Sequence, residues 1–490
     1  MITVLGNSDS TCQGVNRRRW LQIGGGSVFG AHAAMARAAE SVVSVGNNQR
    51  TNGKAKAVLF VFLYGGPSQL DTFDMKPDIP RAYRGPFEVI DAATPGLRIC
   101  EHLPRLAARS DRYATIRTVT HPQNDHNGTH FIQTGRTVPP ANRGSAGVAA
   151  TNVDWPAFGS VVSYLDHKAS PTGQLSFPPY VYLPQRLGHY AGYDILGQYA
   201  GWLGKAYDPM ATAIPKKHAL DNPFFRDCTD QELDFRLTGL DPLPGITLDR
   251  LNTRQRLLEQ LEIRRRAIDT SPATRAYTAQ QQQALSLMQS SDIARAFDIR
   301  EEPDRLRDTY GRNLFGQSLV IARRLIEHGA RFVTVGWDMT VRGDDTTSWD
   351  SHRELTRINR DHLLPGLDVG LSALLDDMGN TGLLDEVLVM TGGEMGRTPK
   401  FENRGSQDGR DHWSYCFPML LAGAGVRGGL IHGVSDKHSA YPAESPVTPA
   451  DLAATVYHSL GISPDTRIPD SQDRPTPLVE NGKALAALFE

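Results

Sequence analysis

The chain is poor in cysteine, in long apolar runs and in net charge, and each shortage removes a class of protein. Only 4 cysteines occur in 490 residues. Cys12 lies near the amino terminus, and Cys100, Cys228 and Cys416 are far apart with no CxxC pair. A zinc knuckle is therefore excluded, and at most one disulfide can close. No run approaches the roughly 18 apolar residues that a membrane-spanning helix needs. A formal net charge of −2 and a pI near 6.7 supply no basic field. No segment combines dense Lys and Arg with aromatic platforms, so nucleic acid is not an expected partner. The glutamine tract at 280–283 sits in no sustained heptad, and no internal repeat is found. Hydrophobic content of 40% and charged content of 22% are ordinary for a soluble globular chain.

What is present is a set of apolar runs that each stop at carboxylates or histidines. Residues 387–392 run into Glu394, and Gly409-Arg410-Asp411-His412-Trp413 follows. Residues 332–337 are followed by Trp349-Asp350-Ser351-His352, where an extended backbone would turn Asp350 and His352 to one side. Residues 113–117 precede His121, Asp125, His126 and His130, which hold three of the fifteen histidines within ten positions. Residues 57–64 lead into Gly65-Gly66-Pro67-Ser68-Gln69-Leu70-Asp71, with Asp74 beyond. Runs without alternation are strands buried on both faces, and open α/β sheets place their chemistry beyond the carboxyl ends of such strands. Carboxylate and imidazole together suit a divalent cation. Plainer readings stand beside this one: Glu394 as a solvated strand end, Asp71 as a helix cap, and Asp350 with His352 as a surface hydrogen bond.

Further motifs carry a resemblance. GGPSQLDTFD at 65–74, HNGTHFIQTGR at 126–136, GQYAGWLGKAYDP at 197–209, ARRLIEHGARFVTVGWD at 322–338, WDSH, GEMGRTP and GRDHW resemble the bacterial domain-of-unknown-function family 1501. They extend over nearly all of residues 57–462. That family in turn resembles the alkaline phosphatase, sulfatase and cofactor-independent phosphoglycerate mutase superfamily. The resemblance implies cleavage or transfer of phosphate or sulfate esters at a divalent metal. It implies Asp71, Asp350, His352, Glu394, Asp411 and His412 as metal ligands, with Asp368 at the helix position of the sulfatase pattern. Where the superfamily has Asp followed by His or Asn, Met395 follows Glu394, so Asp411 and His412 are expected to complete the shell. Matching Thr134-Gly135-Arg136 to the sulfatase Thr-Gly-Arg brings Asp125 to the nucleophile position, where no Cys, Ser or Thr stands. Three routes stay open there: attack by the Asp125 carboxylate, a role for Thr129, or a metal-activated water, with Asp125 and His126 as ligands in the last case. Arg136 and Arg397 are expected either as anion clamps or as structural partners of carboxylates. The metal is zinc, manganese or, with fewer histidines, calcium.

The amino terminus, Asn16-Arg17-Arg18-Arg19-Trp20-Leu21-Gln22 followed by a Gly- and Ala-rich stretch, resembles a twin-arginine export signal. Residues 1–39 are read as that signal, cleaved after Ala36 or Ala39, with the twin-arginine export machinery as a partner and a periplasmic or extracellular destination. A disordered basic tail is the alternative. Residues 55–490 are expected to form a single α/β domain, because the candidate residues from Asp71 to His412 need one sheet to gather them. Helix, glycine turn and apolar strand recur at 319–337 and at 367–392, the signature of a doubly wound, mostly parallel sheet with helices on both faces, alkaline phosphatase/sulfatase-like. Pro-rich and irregular stretches lie between Pro139 and Pro184. A helical insertion is expected at about 248–310, with Leu251, Leu257, Leu258 and Leu261 as its apolar face. Two functions follow: an exported metal-dependent hydrolase of a small-molecule or polysaccharide ester, or a non-catalytic binding or scaffold protein that keeps the fold.

Overall fold

The central strand, β1 (Ala57–Leu63), is buried at all seven positions, and its side chains alternate between two separate apolar clusters. Such a strand needs layers on both sides, and the computed structural model, which describes residues 53–138, 149–170, 175–188, 194–214, 216–237, 290–338, 347–401 and 408–489, supplies them. The other strands of its sheet are β2 (Tyr113–Val119), β3 (Tyr180–Leu183), β4 (Met210–Ala213), β5 (Arg236–Leu237), β6 (Phe332–Trp337), β7 (Val387–Gly392), β8 (Phe417–Ala422) and β9 (Ile431–His432). Their order is β9-β2-β8-β7-β1-β6-β3-β4-β5. Strand β1 pairs in parallel with β6 and β7, and β3 with β4 and β6, whereas β8 runs antiparallel to both β7 and β2, and β5 antiparallel to β4.

Ala57, Leu59, Val61 and Leu63 pack in one cluster with α3 (Leu314–Glu327) and α4 (Leu364–Thr381). Val58, Phe60 and Phe62 pack in the other with α2 (Phe158–Ala169) and α5 (Pro449–Ser459). A short α1 (Gly128–Thr134) follows β2. Helices thus cover both faces of a mostly parallel sheet, the α/β arrangement expected of the sequence. Between Pro139 and Pro184, where irregular stretches are expected, the described residues also hold α2 and β3. Only four residues long and closed by Pro184, β3 offers too little periodicity to be seen in the chain.

Cys100, Cys228 and Cys416 are buried free thiols, so no disulfide joins them. Among the described residues no helix is long and apolar enough to cross a membrane. Of the expected helical insertion, 248–289 lies outside the described residues, while Ser291–Phe297 and Asp304–Thr309 are helical. The expected export signal also lies outside them.

Candidate metal centre

Parallel strands bring their carboxyl ends to one edge, and there the segments leaving β1, β2, β6 and β7 meet the one entering β8. The turn after β1 sets how closely they meet. Gly65 and Gly66 have φ of 103° and 85°, where only glycine is unstrained. A Cβ on Gly65 would lie 2.1 Å from the Asp350 amide nitrogen, and one on Gly66 would lie 2.2 Å from the Met395 carbonyl oxygen. The turn therefore fits between the two segments that carry Asp350 and Glu394.

Asp350, 6% exposed, is the hub. Its Oδ1 lies 3.1 Å from His352 Nε2, 3.1 Å from His412 Nε2 and 2.6 Å from an Arg397 guanidinium nitrogen. Its Oδ2 lies 3.2 Å from His126 Nε2. The two facing Nε2 atoms of His352 and His412 are 3.0 Å apart. Ligand atoms of His126, Asp350 and His412 all lie within 4.8 Å of one another. Asp350 and His352 converge through a bend in which the His352 N–H donates to the Asp350 carbonyl at 3.1 Å, not along the extended backbone expected.

Two of the imidazoles are held from behind by carboxylates. His126 Nδ1 lies 3.0 Å from Glu394 Oε1, and His352 Nδ1 lies 2.9 Å from Asp411 Oδ1. The Gly65 N–H donates to both Glu394 oxygens, at 3.0 and 3.1 Å. An Nδ1 held by a carboxylate turns Nε2 toward the other side of the ring, the arrangement in which histidine ligates a metal. Burial alone would lower the pKa of His126, but the Asp350 and Glu394 carboxylates outweigh it and push it up to about 10. Burial acts against ionised Asp350, yet His126 and Arg397 hold its carboxyl well below the usual range. For His412 burial dominates, and its pKa falls to about 3. His412 is therefore a neutral imidazole at physiological pH, available as a ligand. The ligand atoms of His126, Asp350 and His412, with His352 Nε2 beside Asp350 Oδ1, make an imidazole-rich set, which fits a divalent cation such as zinc or manganese better than calcium, which prefers six to eight oxygens.

The family model for "Protein of unknown function (DUF1501)" matches residues 55–489. The chain belongs to that family. No curated protein matches it. Among solved structures, this DUF1501 chain is similar to the phosphonate monoester hydrolase SpPMH from Silicibacter pomeroyi, with 10% identity, 89% of this chain and 76% of that one covered, and a TM-score of 0.36. It is also similar to the PsFucS1 sulfatase from Pseudoalteromonas sp. (12% identity, 83% and 68% covered, TM-score 0.34) and to the lipoteichoic acid synthase LtaP from Listeria monocytogenes (11%, 86% and 76%, 0.35). Similarity at this level decides no activity.

Several expected site residues of this DUF1501 member take other positions. Asp71 is fully buried against Arg410, whose Nε donates to it at 2.7 Å and whose Nη2 lies 3.3 Å away. Its carboxylate is paired with a guanidinium and lies outside the group of His126, Asp350 and His412. Glu394 and Asp411 stand behind histidines and not at the point of convergence, while His126, expected among the catalytic residues or the ligands, is at that point. Arg136 bonds Glu480 at 2.6 Å and the Pro477 carbonyl, and lies 4.1 Å over the Trp155 ring. Arg397 is fully buried and spent on Asp350 and the carbonyls of Gly65 and Gly66. Both arginines are engaged with carboxylates and main-chain carbonyls. Asp125 accepts from the Asn127 N–H at 2.8 Å and from Gln123 Nε2 at 2.7 Å, a turn-forming role. Thr129 is buried, and its hydroxyl has no hydrogen-bond partner among the described residues. Asp368 accepts from the Leu106 and Arg105 N–H groups, at 2.8 and 3.1 Å. Arg410 was not foreseen: nothing in GRDHW separates an arginine that pairs 339 positions away from a solvated one.

Proposed function

We propose that this chain is an exported metal-dependent hydrolase of phosphate or sulfate esters, with one divalent cation held by His126, Asp350, His352 and His412. The observation that carries the reading is the triangle of His352 Nε2, His412 Nε2 and Asp350 Oδ1, with sides of 3.0, 3.1 and 3.1 Å. Two imidazole nitrogens and a carboxylate oxygen so placed are a donor set that one divalent cation can share. When bound, zinc or manganese supplies Lewis acidity and lowers the pKa of a nearby water.

The protein's own groups do the rest. Glu394 and Asp411 fix the tautomers of His126 and His352, and Arg397 keeps Asp350 ionised and oriented. Attack falls to water, because the Asp125 carboxylate is engaged with Gln123 and Asn127. The ester P–O or S–O bond breaks, the alcohol leaves, and the released phosphate or sulfate keeps the oxygen of the water. Twin-arginine export to the periplasm or beyond suits a centre loaded before translocation. The substrate class is a small-molecule or polysaccharide ester.

A second reading rests on a specific observation: neither Arg136 nor Arg397 is free to bind an anion. On that reading the chain is a metal-containing binding or scaffold protein. The two separate on a panel of aryl phosphate, phosphate diester, phosphonate and sulfate esters, assayed with the metal-loaded protein and a His412→Ala variant. Turnover present in the parent and lost in the variant supports the hydrolase. A loaded parent that cleaves none of them favours the scaffold.

A further inference from the structure

His121 stands just beyond β2 and touches none of the converging ligand atoms, yet it is 4% exposed and packed from three sides. Its ring stacks on Phe131 (centroids 5.1 Å apart, 18° between planes) and meets Phe417 edge-on at 5.5 Å. Its Nδ1 accepts from the Gln123 N–H at 3.3 Å, which fixes the neutral tautomer with its proton on Nε2. That Nε2–H donates at 2.6 Å to the main-chain carbonyl of Glu394.

The opposite side of the same backbone is gripped as well. A Cβ on Gly128 would lie 3.0 Å from His121 Cε1 and 3.1 Å from the Glu394 carbonyl oxygen, so glycine lets α1 pass close to this bond. Gly66 lies as closely against the next carbonyl, that of Met395. With its backbone pinned, Glu394 holds its side chain between the Gly65 N–H and His126 Nδ1. A chain of contacts thus runs from His121 through Glu394 to His126 and on to Asp350.

We propose that His121 is a positioning residue: by donating Nε2–H to the Glu394 carbonyl, it sets the Glu394 carboxylate that orients His126 toward the cation. The inference rests on the metal-centre reading for its effect on affinity, but not for its effect on Glu394. Outer partners of metal ligands act in this way through geometry, and their loss weakens binding about 10–100-fold.

The test uses His121→Phe, which keeps the ring contacts and removes the donor, and His121→Gln, whose amide nitrogen can restore it. Gly128→Ala is a third variant, which disturbs the same bond with His121 intact. Zinc and manganese affinities are measured by competition with a chelator, and hydrogen exchange is followed at the Gly65 amide, which reports the Glu394 carboxylate directly. The expected result is at least about 10-fold weaker metal binding and faster Gly65 exchange in His121→Phe and Gly128→Ala, with His121→Gln close to the parent and exchange in β6 unchanged in all three. Parent-like Gly65 exchange in both His121→Phe and Gly128→Ala overturns the inference. If the parent binds neither metal, the metal reading fails, while Gly65 exchange still decides the role of His121.

Discussion

His352 and His412 face each other through Nε2 atoms 3.0 Å apart, with one oxygen of Asp350 placed 3.1 Å from each. Two imidazole nitrogens and a carboxylate oxygen this close together form a donor set that suits a divalent cation.

Metal affinity should depend on carboxylates that do not touch the ion. Asp411→Asn and Glu394→Gln keep the shape of each side chain but weaken its hold on His352 or His126. Each should reduce zinc affinity about 10–100-fold, measured by chelator competition, while His352→Ala and His412→Ala should abolish uptake. Equal affinity in the parent and both amide variants would show that neither carboxylate acts on the metal through its histidine.

The empty centre should be sensitive to pH in a definite direction. Because the folded pKa of His126 is raised, to about 10, above an unfolded value near 6.5, its protonation adds stability in full below about pH 6.5, and this is lost as pH rises toward 10. A cation takes the place of that proton, so loading between pH 7 and 9 should release it. Calorimetry in two buffers of different ionisation heat reads the release directly, and His126→Gln should remove it. Loading that releases no proton in the parent would contradict the place of His126 in the centre.

Asp71 should matter to the fold and not to the stoichiometry of the metal. Removing one partner of a fully buried ion pair strands the other charge, at a cost of about 3–5 kcal/mol. Asp71→Asn should therefore lower the denaturant midpoint markedly and still bind the parental number of ions. A folded Asp71→Asn protein that binds one ion fewer would restore Asp71 as a ligand.

Asp125 separates water attack from attack by a side chain. Asn keeps the oxygen that accepts from the Asn127 N–H. Asp125→Asn should consequently retain ester turnover at the order of magnitude of the parent. Loss of all turnover, with metal content intact, would make Asp125 the covalent nucleophile.

Much of this arrangement was legible in the chain, and the part that was not has physical causes. Unbroken apolar runs at β1, β6, β7 and β8 locate strands buried on both faces, so the sheet edge that collects their ends could be expected. His352, His412 and Asp350 follow from their places at those ends. Which atom of a side chain faces the ion does not, because Glu394 behind His126 and Glu394 on the cation have the same sequence signature. Long-range pairing is equally silent. Asp71 pairs with Arg410, 339 positions later, and Arg397 with Asp350 and two carbonyls, and no local pattern announces either pairing. His121 stood out as part of a histidine-rich segment, but its role depends on a carbonyl 273 positions away.

The most direct test of the account is elemental analysis by mass spectrometry of the purified protein, beside His352→Ala and His412→Ala, after dialysis against metal-free buffer. The account predicts one equivalent of a divalent metal in the parent, zinc or manganese, and none in either variant. A parent that is metal-free and cannot be reloaded, or variants that keep the parental content, would contradict it.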